Sequence, residues 1–220
     1  MTSELFQSLM ETDQTVFLYL NGLYTSFGDY FMSSFSGKVI WAPMYASVLY
    51  VLLKNADWKV ALYCLIAIVL TITFADQACA TFIRPAVARL RPCSPDNPIS
   101  ELVHLVNGKR SGSFSFPSCH AANSFGLAFM LMYLFRNRWL TAFILIWAVI
   151  NSYSRIYLGV HYPTDLLAGA IVGATGATLM YLLLRKITGV RQVGNKQSAV
   201  IIYTGLLTML GISLYAIIQS

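Results

Sequence analysis

The sequence predicts an all-α membrane protein: a six-helix transmembrane bundle preceded by an amphipathic helix in the membrane interface. Three observations predict it. The 220 residues are 57% hydrophobic and 11% charged, against about 25% charged in an ordinary soluble domain. Mean hydropathy is +0.62. Six apolar stretches approach the length of about 20 residues that a helix needs to cross the hydrocarbon core. One membrane domain, residues 1–220, accounts for all of this, and the chemistry-bearing residues concentrate within 76–165. The net charge of +6 rests on few ionised groups. It suits loop charges that orient a membrane protein and argues against nucleic acid as a partner.

The first segment, Ser3–Tyr24, has Phe6, Leu9, Val16, Phe17 and Leu20 at helical spacing, with Glu11, Asp13 and Gln14 elsewhere. That is the pattern of an interfacial helix, and equally of a helix packed on the bundle. Glu4, Glu11 and Asp13, with no Lys or Arg in the first 20 residues, do not make a secretory signal. The expected spans are Val39–Leu53, Trp58–Phe82, Ala121–Phe135, Leu140–Tyr157, Leu166–Leu184 and Ala199–Ile218. Trp41, Trp58, Trp139 and Tyr162 near their ends fit interfacial anchors. The long connection Ile83–Ser118 carries Pro85, Pro92, Pro98 and Pro117, and connections of that length are usually functional or disordered.

Charge sets the orientation. The loops after the first, third and fifth spans hold Lys54, Lys59, Arg136, Arg138, Arg185, Lys186, Arg191 and Lys196, against Asp57 alone. Those loops are expected in the cytoplasm. The opposite face also carries basic residues (Lys38, Arg84, Arg89, Arg91, Lys109, Arg110 and Arg155). The orientation therefore depends on assigning these to a site, and the flipped topology is the alternative.

Three polar clusters interrupt the apolar pattern: Arg84-x6-Arg91-Pro92, Pro117-Ser118-Cys119-His120, and Ser154-Arg155-x5-His161-x3-Asp165. With six spans, all three fall on one membrane face. Singly, the arginines read as interfacial anchors and the prolines as helix ends. Jointly, cationic clamps, two histidines and a carboxylate are groups that grip a phosphate and break its ester bond.

These clusters resemble the three motifs of the type 2 phosphatidic acid phosphatase (PAP2) family, Lys-x6-Arg-Pro, Pro-Ser-Gly-His and Ser-Arg-x5-His-x3-Asp. The third matches at every fixed position. Arg84 stands where the family has lysine, and Cys119 where it has glycine. The resemblance implies a membrane-embedded lipid phosphatase working through a phosphohistidine. It assigns His161 as nucleophile, Asp165 as the group orienting it, and His120 as general acid and then base. Arg84, Arg91, Ser118, Cys119 (through its backbone N–H) and Arg155 are expected to bind phosphate. Arg84 keeps the charge but changes its shape, and Cys119 adds a side chain where glycine allows close approach.

No metal or cofactor is expected, since arginines supply the positive charge and the three histidines lack metal-ligand spacing. The implied partners are the bilayer and a phosphorylated lipid, with the site on the periplasmic face of a bacterial inner membrane. The stretches Val103–Gly108 and His120–Asn123 resemble bacterial lipid A phosphatases of the same family. Lipid A phosphate and undecaprenyl diphosphate therefore head the substrates, ahead of phosphatidylglycerol phosphate and phosphatidic acid. The competing readings are a lipid phosphotransferase, a vanadate-dependent haloperoxidase and a non-catalytic lipid-binding or transport protein.

Supporting roles fall to Asp76, which is costly in lipid and two helical turns before Arg84, and to Lys109 and Arg110, which suit an anionic headgroup. His104 reads as a solvated loop residue. Cys93 and Cys119 are close enough to the clusters for a disulfide to be conceivable in an oxidising compartment. Cys64 and Cys79 read as packing residues.

Overall fold

The computed structural model describes residues 2–220. Met1 and the side chains of Thr2, Ser3 and Phe6, the last being part of the predicted apolar stripe, lie outside the described residues. Among the described residues there are nine α-helices and no strand, only an isolated bridge between Leu90 and Phe114.

Helix α1 (Thr2–Asn21) buries Asp13, Phe17 and Asn21, spaced by four along one face, against α7 and α8. Leu9 and Val16 of the expected stripe are exposed. The face that packs is thus partly polar, and part of the apolar stripe points away from the bundle while Phe17 and Leu20 pack on it. Helix α2 (Ser26–Phe35) starts at Thr25, whose hydroxyl accepts the Gly28 N–H at 2.9 Å. A 3-10 turn, Val39–Trp41, leads into α3 (Ala42–Asn55).

Helix α4 (Trp58–Gln77) does not stop where its α-geometry does. It passes through a π turn, Ala78–Ile83, into the short α5 (Arg84–Val87). Ala88, at φ 49°, ends it in the left-handed region. The connection to α6 is folded over itself: Arg91 N–H donates to Ser113 at 3.0 Å and Ser115 N–H to Arg89 at 2.8 Å. Arg91, Cys93, Asn97, Ile99 and Ser115 within it are buried.

Helix α6 (Cys119–Phe135) is the hub, packed on α4, α7 (Arg138–Tyr157) and α8 (Pro163–Thr188). Its approach to α8 requires glycine. A β-carbon at Gly169 would collide with the Ser118 carbonyl, and one at Gly173 with the Ala122 carbonyl. Helix α9 (Ala199–Gln219) covers α2 and α3. Trp41, Trp147, Met130, Leu131 and Leu134 fill the interior, while Val69, Ile146, Leu167, Ile171 and Leu207 face outward. An apolar exterior around an apolar core is the arrangement of a protein solvated by lipid.

The expected six spans are met in part. Among the described residues, four helices are long and apolar enough to cross a membrane: Trp58–Val87, Arg138–Tyr157, Pro163–Thr188 and Ala199–Gln219. The predicted span Val39–Leu53 does not stand alone. It passes only together with α2, and the pair is bent by 70° where Gly37 and the 3-10 turn intervene. The predicted span Ala121–Phe135 lies in α6, which is apolar but shorter, at 17 residues. Length and composition therefore give four spans, or five with the bent pair.

Candidate active site

The three clusters meet at one end of the bundle, joined by direct bonds. Arg84, at the start of α5, reaches back with Nη2 to the Pro117 carbonyl at 2.8 Å and the Cys119 sulfur at 3.0 Å. Ser118 N–H donates to the Asp165 carbonyl at 3.0 Å, tying the N-terminus of α6 to that of α8. Arg91 donates to the Val160 carbonyl at 3.0 Å, beside His161.

Local folding explains the spacing in the third cluster. Arg155 is in the last turn of α7, and its carbonyl accepts the N–H groups of Val160 and His161 at 3.0 and 3.3 Å. Gly159 reverses the chain at φ 73°, where a β-carbon would also strike Val103 and Leu105. Pro163 opens α8, and Asp165 caps it by accepting the Tyr162 N–H at 2.9 Å.

The same carboxylate oxygen, Oδ2, lies 3.3 Å from His161 Nδ1. On the other side of the ring, Nε2 is 3.2 Å from Arg91 Nη1. A guanidinium only donates and a carboxylate only accepts. The neutral ring therefore carries its proton on Nδ1 and leaves the Nε2 lone pair towards Arg91. Burial is the main reason that the His161 pKa falls to about 4, with the Arg91 charge pushing further down and Asp165 opposing. Arg91 itself is lowered from the ordinary arginine value by burial and by the nearby Arg84.

Among the described residues, Arg84, Arg91 and Arg155, and Arg89 beside them, each keep a buried Nε with no hydrogen-bond partner. Clustered like charges with unused donors form a site for a multivalent anion. Arg155 is held by a short hydrogen bond to the Ser36 hydroxyl. Ser118 caps α6, its oxygen accepting the Ala121 N–H at 3.4 Å, so the helix N-terminus adds its own donors to this place. His120 follows in the first turn, with Nε2 3.4 Å from the Ser36 carbonyl. It also lines a cavity of about 330 Å³ walled by Trp41, Tyr45, Leu65, Ile72 and Trp147, with Lys38 and Asn123.

Several predicted supporting residues sit elsewhere. Asp76 makes no bond with Arg84; its Oδ1 accepts from Asn123 Nδ2 at 3.4 Å. The π turn between them breaks the α-helical register on which that pairing depended. Lys109 and Arg110 are exposed on the loop, and Arg110 donates to the Cys93 carbonyl. His104 is not a solvated loop residue. Its Nε2 is 2.8 Å from Asp29 Oδ1, and its ring stacks on Tyr24 at 3.8 Å. All four cysteines are free, and Cys119 packs beside Cys79 and Ala75.

Sequence reasoning missed Arg89, Asp13, Thr164 and Ser36. Arg89 Nη1 donates to Asp165 Oδ1 at 3.1 Å, and Nη2 to Asp13 at 2.7 Å. Its position inside the first cluster was the available signal. For Asp13, the signal was a carboxylate on a largely apolar helix.

The PAP2 superfamily profile matches residues 62–188. The chain is 57% identical over 225 residues to a lipid A 4'-phosphatase of Bacteroides thetaiotaomicron, covering 98% of this chain and 100% of that one. It is 35% identical to a lipid A 4'-phosphatase of Porphyromonas gingivalis (79% and 73% covered). It is 31% identical to an undecaprenyl-diphosphatase of Sulfolobus acidocaldarius (70% and 66% covered). The crystal structure of Aquifex aeolicus LpxE has the same fold, with a TM-score of 0.57 at 23% identity over 76% of this chain and 93% of that one. With the profile over residues 62–188 and a relative 57% identical along its whole length, the chain belongs to the PAP2 superfamily.

Proposed function

We propose that this protein is a membrane lipid phosphatase that removes a phosphate from lipid A by way of a phosphohistidine at His161. The observation that carries the reading is the line Asp165–His161–Arg91, which leaves a neutral Nε2 lone pair beside a buried arginine. Arg84, Arg91 and Arg155 grip the phosphoryl oxygens with donors that have no other partner. Nε2 attacks phosphorus, and the Nδ1 proton stays with His161, steadied by Asp165 as the ring becomes cationic. His120 protonates the leaving alkoxide. It then takes a proton from the water that attacks the phosphohistidine, releasing inorganic phosphate. The Ser118 hydroxyl proton and the Cys119 N–H at the start of α6 add donors to the phosphate.

The apolar cavity beside His120 supports a substrate with a hydrocarbon part. The lipid A assignment rests on the relatives' activity. Undecaprenyl diphosphate is the second reading, favoured by the third relative. Counting α6 with the bent pair and the four long helices gives six crossings. The outward apolar residues of α1 suit the interface, and the basic loops of the far end suit the cytoplasm. The site then opens to the periplasmic face of the inner membrane.

The test is phosphate release from lipid A, undecaprenyl diphosphate and phosphatidic acid by purified protein in detergent with EDTA. Release from lipid A that stops in His161→Ala and is blocked by vanadate supports the reading. Release that survives the substitution overturns the role of His161.

A further inference from the structure

We propose that Asp13 and Arg89 are positioning residues of this site, so that helix α1 completes a chain of charges standing behind the nucleophile. The proposal rests on His161 being that nucleophile. Asp165 Oδ2 is shared between Tyr162 N–H and His161 Nδ1, at 2.9 and 3.3 Å. Its other oxygen is taken by Arg89, at 3.1 Å. Arg89 turns its second nitrogen to Asp13, at 2.7 Å. Asp13 in turn accepts the Thr164 N–H at 3.0 Å and a hydrogen bond from the Thr164 hydroxyl. The guanidinium lies 3.8 Å from the centre of the Tyr162 ring. The side chains of Arg89, Asp13 and Asp165 are 11%, 3% and 0% exposed.

Burying an ion pair seldom adds stability over apolar packing. A buried line of three charges ending on the histidine partner is better explained by what it does to that histidine. Arg89 fixes the carboxylate plane, so Oδ2 stays on Nδ1. Asp13 holds Arg89 in place and offsets its charge, so Asp165 keeps enough negative character to support the cationic ring. The other charged or titratable groups facing this line are Tyr162 and, across His161, Arg91, Arg155 and His120.

The two ends of the line act in opposite directions. Arg89→Gln leaves the full charge of Asp165 on His161, which then takes up a proton at higher pH. Asp13→Asn leaves Arg89 drawing harder on Asp165, and His161 takes up a proton at lower pH. A merely structural loosening would admit water in both variants and raise both values together.

The experiment measures steady-state hydrolysis of lipid A against pH by the full chain in detergent, for the wild type, His161→Ala, Asp13→Asn, Arg89→Gln and Arg89→Lys. We expect kcat to fall about tenfold or more in Asp13→Asn and Arg89→Gln with KM within about twofold, as for a group acting on the transition state. Their acid limbs of kcat/KM should move in opposite directions, and Arg89→Lys should recover part of the rate. Unchanged kcat in both, or limbs that move together with raised KM, would overturn the proposal. Failure of the wild type to act on the lipid would instead count against the phosphatase reading. The line is then judged by the 15N resonances of the three histidines: a His161 protonation midpoint equal in wild type, Asp13→Asn and Arg89→Gln sinks it, and opposite shifts uphold it.

Discussion

His161 has each ring nitrogen assigned by its partner, a carboxylate at 3.3 Å and a guanidinium at 3.2 Å. That fixes which ring nitrogen keeps its lone pair, Nε2, the atom proposed to attack phosphorus. His161→Ala should reduce lipid dephosphorylation by at least about a thousandfold, and Asp165→Asn by roughly a hundredfold or more, since an amide supports the wrong tautomer. Phosphate release by the purified variants checks both. The depressed pKa also has a signed consequence. The neutral ring is the one with a free lone pair, so the acid limb of kcat/KM, where His161 takes up its proton, should lie near 4. A limb near the ordinary histidine value, about 6.5, would mean that the ring is not held as described. At this scale the sequence was most legible. His161, Asp165, Arg84, Arg91 and Arg155 could be picked out because motif residues carry their chemistry in their type and spacing, whereas their meeting in space is set by packing. Arg89 and Asp13 gave only weak signals, a place inside the first cluster and a carboxylate on a largely apolar helix, because the contact that joins them spans more than seventy positions.

Two elements carry the site. The start of α8 supplies Asp165 both as helix cap and as the histidine's partner, and the start of α6 supplies Ser118 and His120. Their registry depends on Gly169 and Gly173, where any side chain would meet the opposite backbone. Gly173→Val should destabilise the bundle by about 1–3 kcal/mol, the usual cost of overpacking. It should also lower activity by shifting the Ser118 N–H off the Asp165 carbonyl. Thermal unfolding in detergent and phosphate release read the two effects separately. The π turn shows why sequence periodicity misplaced Asp76. Position along a helix predicts a face only while the turn stays regular, and here it widens just before Arg84. The bend between α2 and α3 escaped the apolar-stretch reading because hydropathy measures length and composition, not direction.

Across the whole molecule, the phosphate site and the apolar cavity share His120. A polar site opening onto an apolar recess lets a lipid present its headgroup without leaving the bilayer. Ile72→Trp, which fills the cavity wall, should raise KM for lipid A several-fold. It should leave hydrolysis of a short, water-soluble phosphate ester nearly unchanged. Parallel kinetics on the two substrates checks this, and an equal loss on both would mean that the recess does not hold the lipid. The fold itself gathers the clusters by contacts between them, with Arg84 on Pro117 and Ser118 on Asp165.

The sequence by itself determined the helical class, the apolar exterior and the residues proposed to bind and attack a phosphate. Composition decides what solvent a chain can face, and side-chain chemistry is fixed before folding. Only the tertiary structure decided the tautomer of His161, the placing of Asp13 and Arg89 beside Asp165, the pairing of Asp76 with Asn123, and the bend between α2 and α3. Each of these depends on distances between groups remote in the chain. Such distances are set by packing, in which a widened turn or a pair of glycines redirects side chains that the local pattern leaves free.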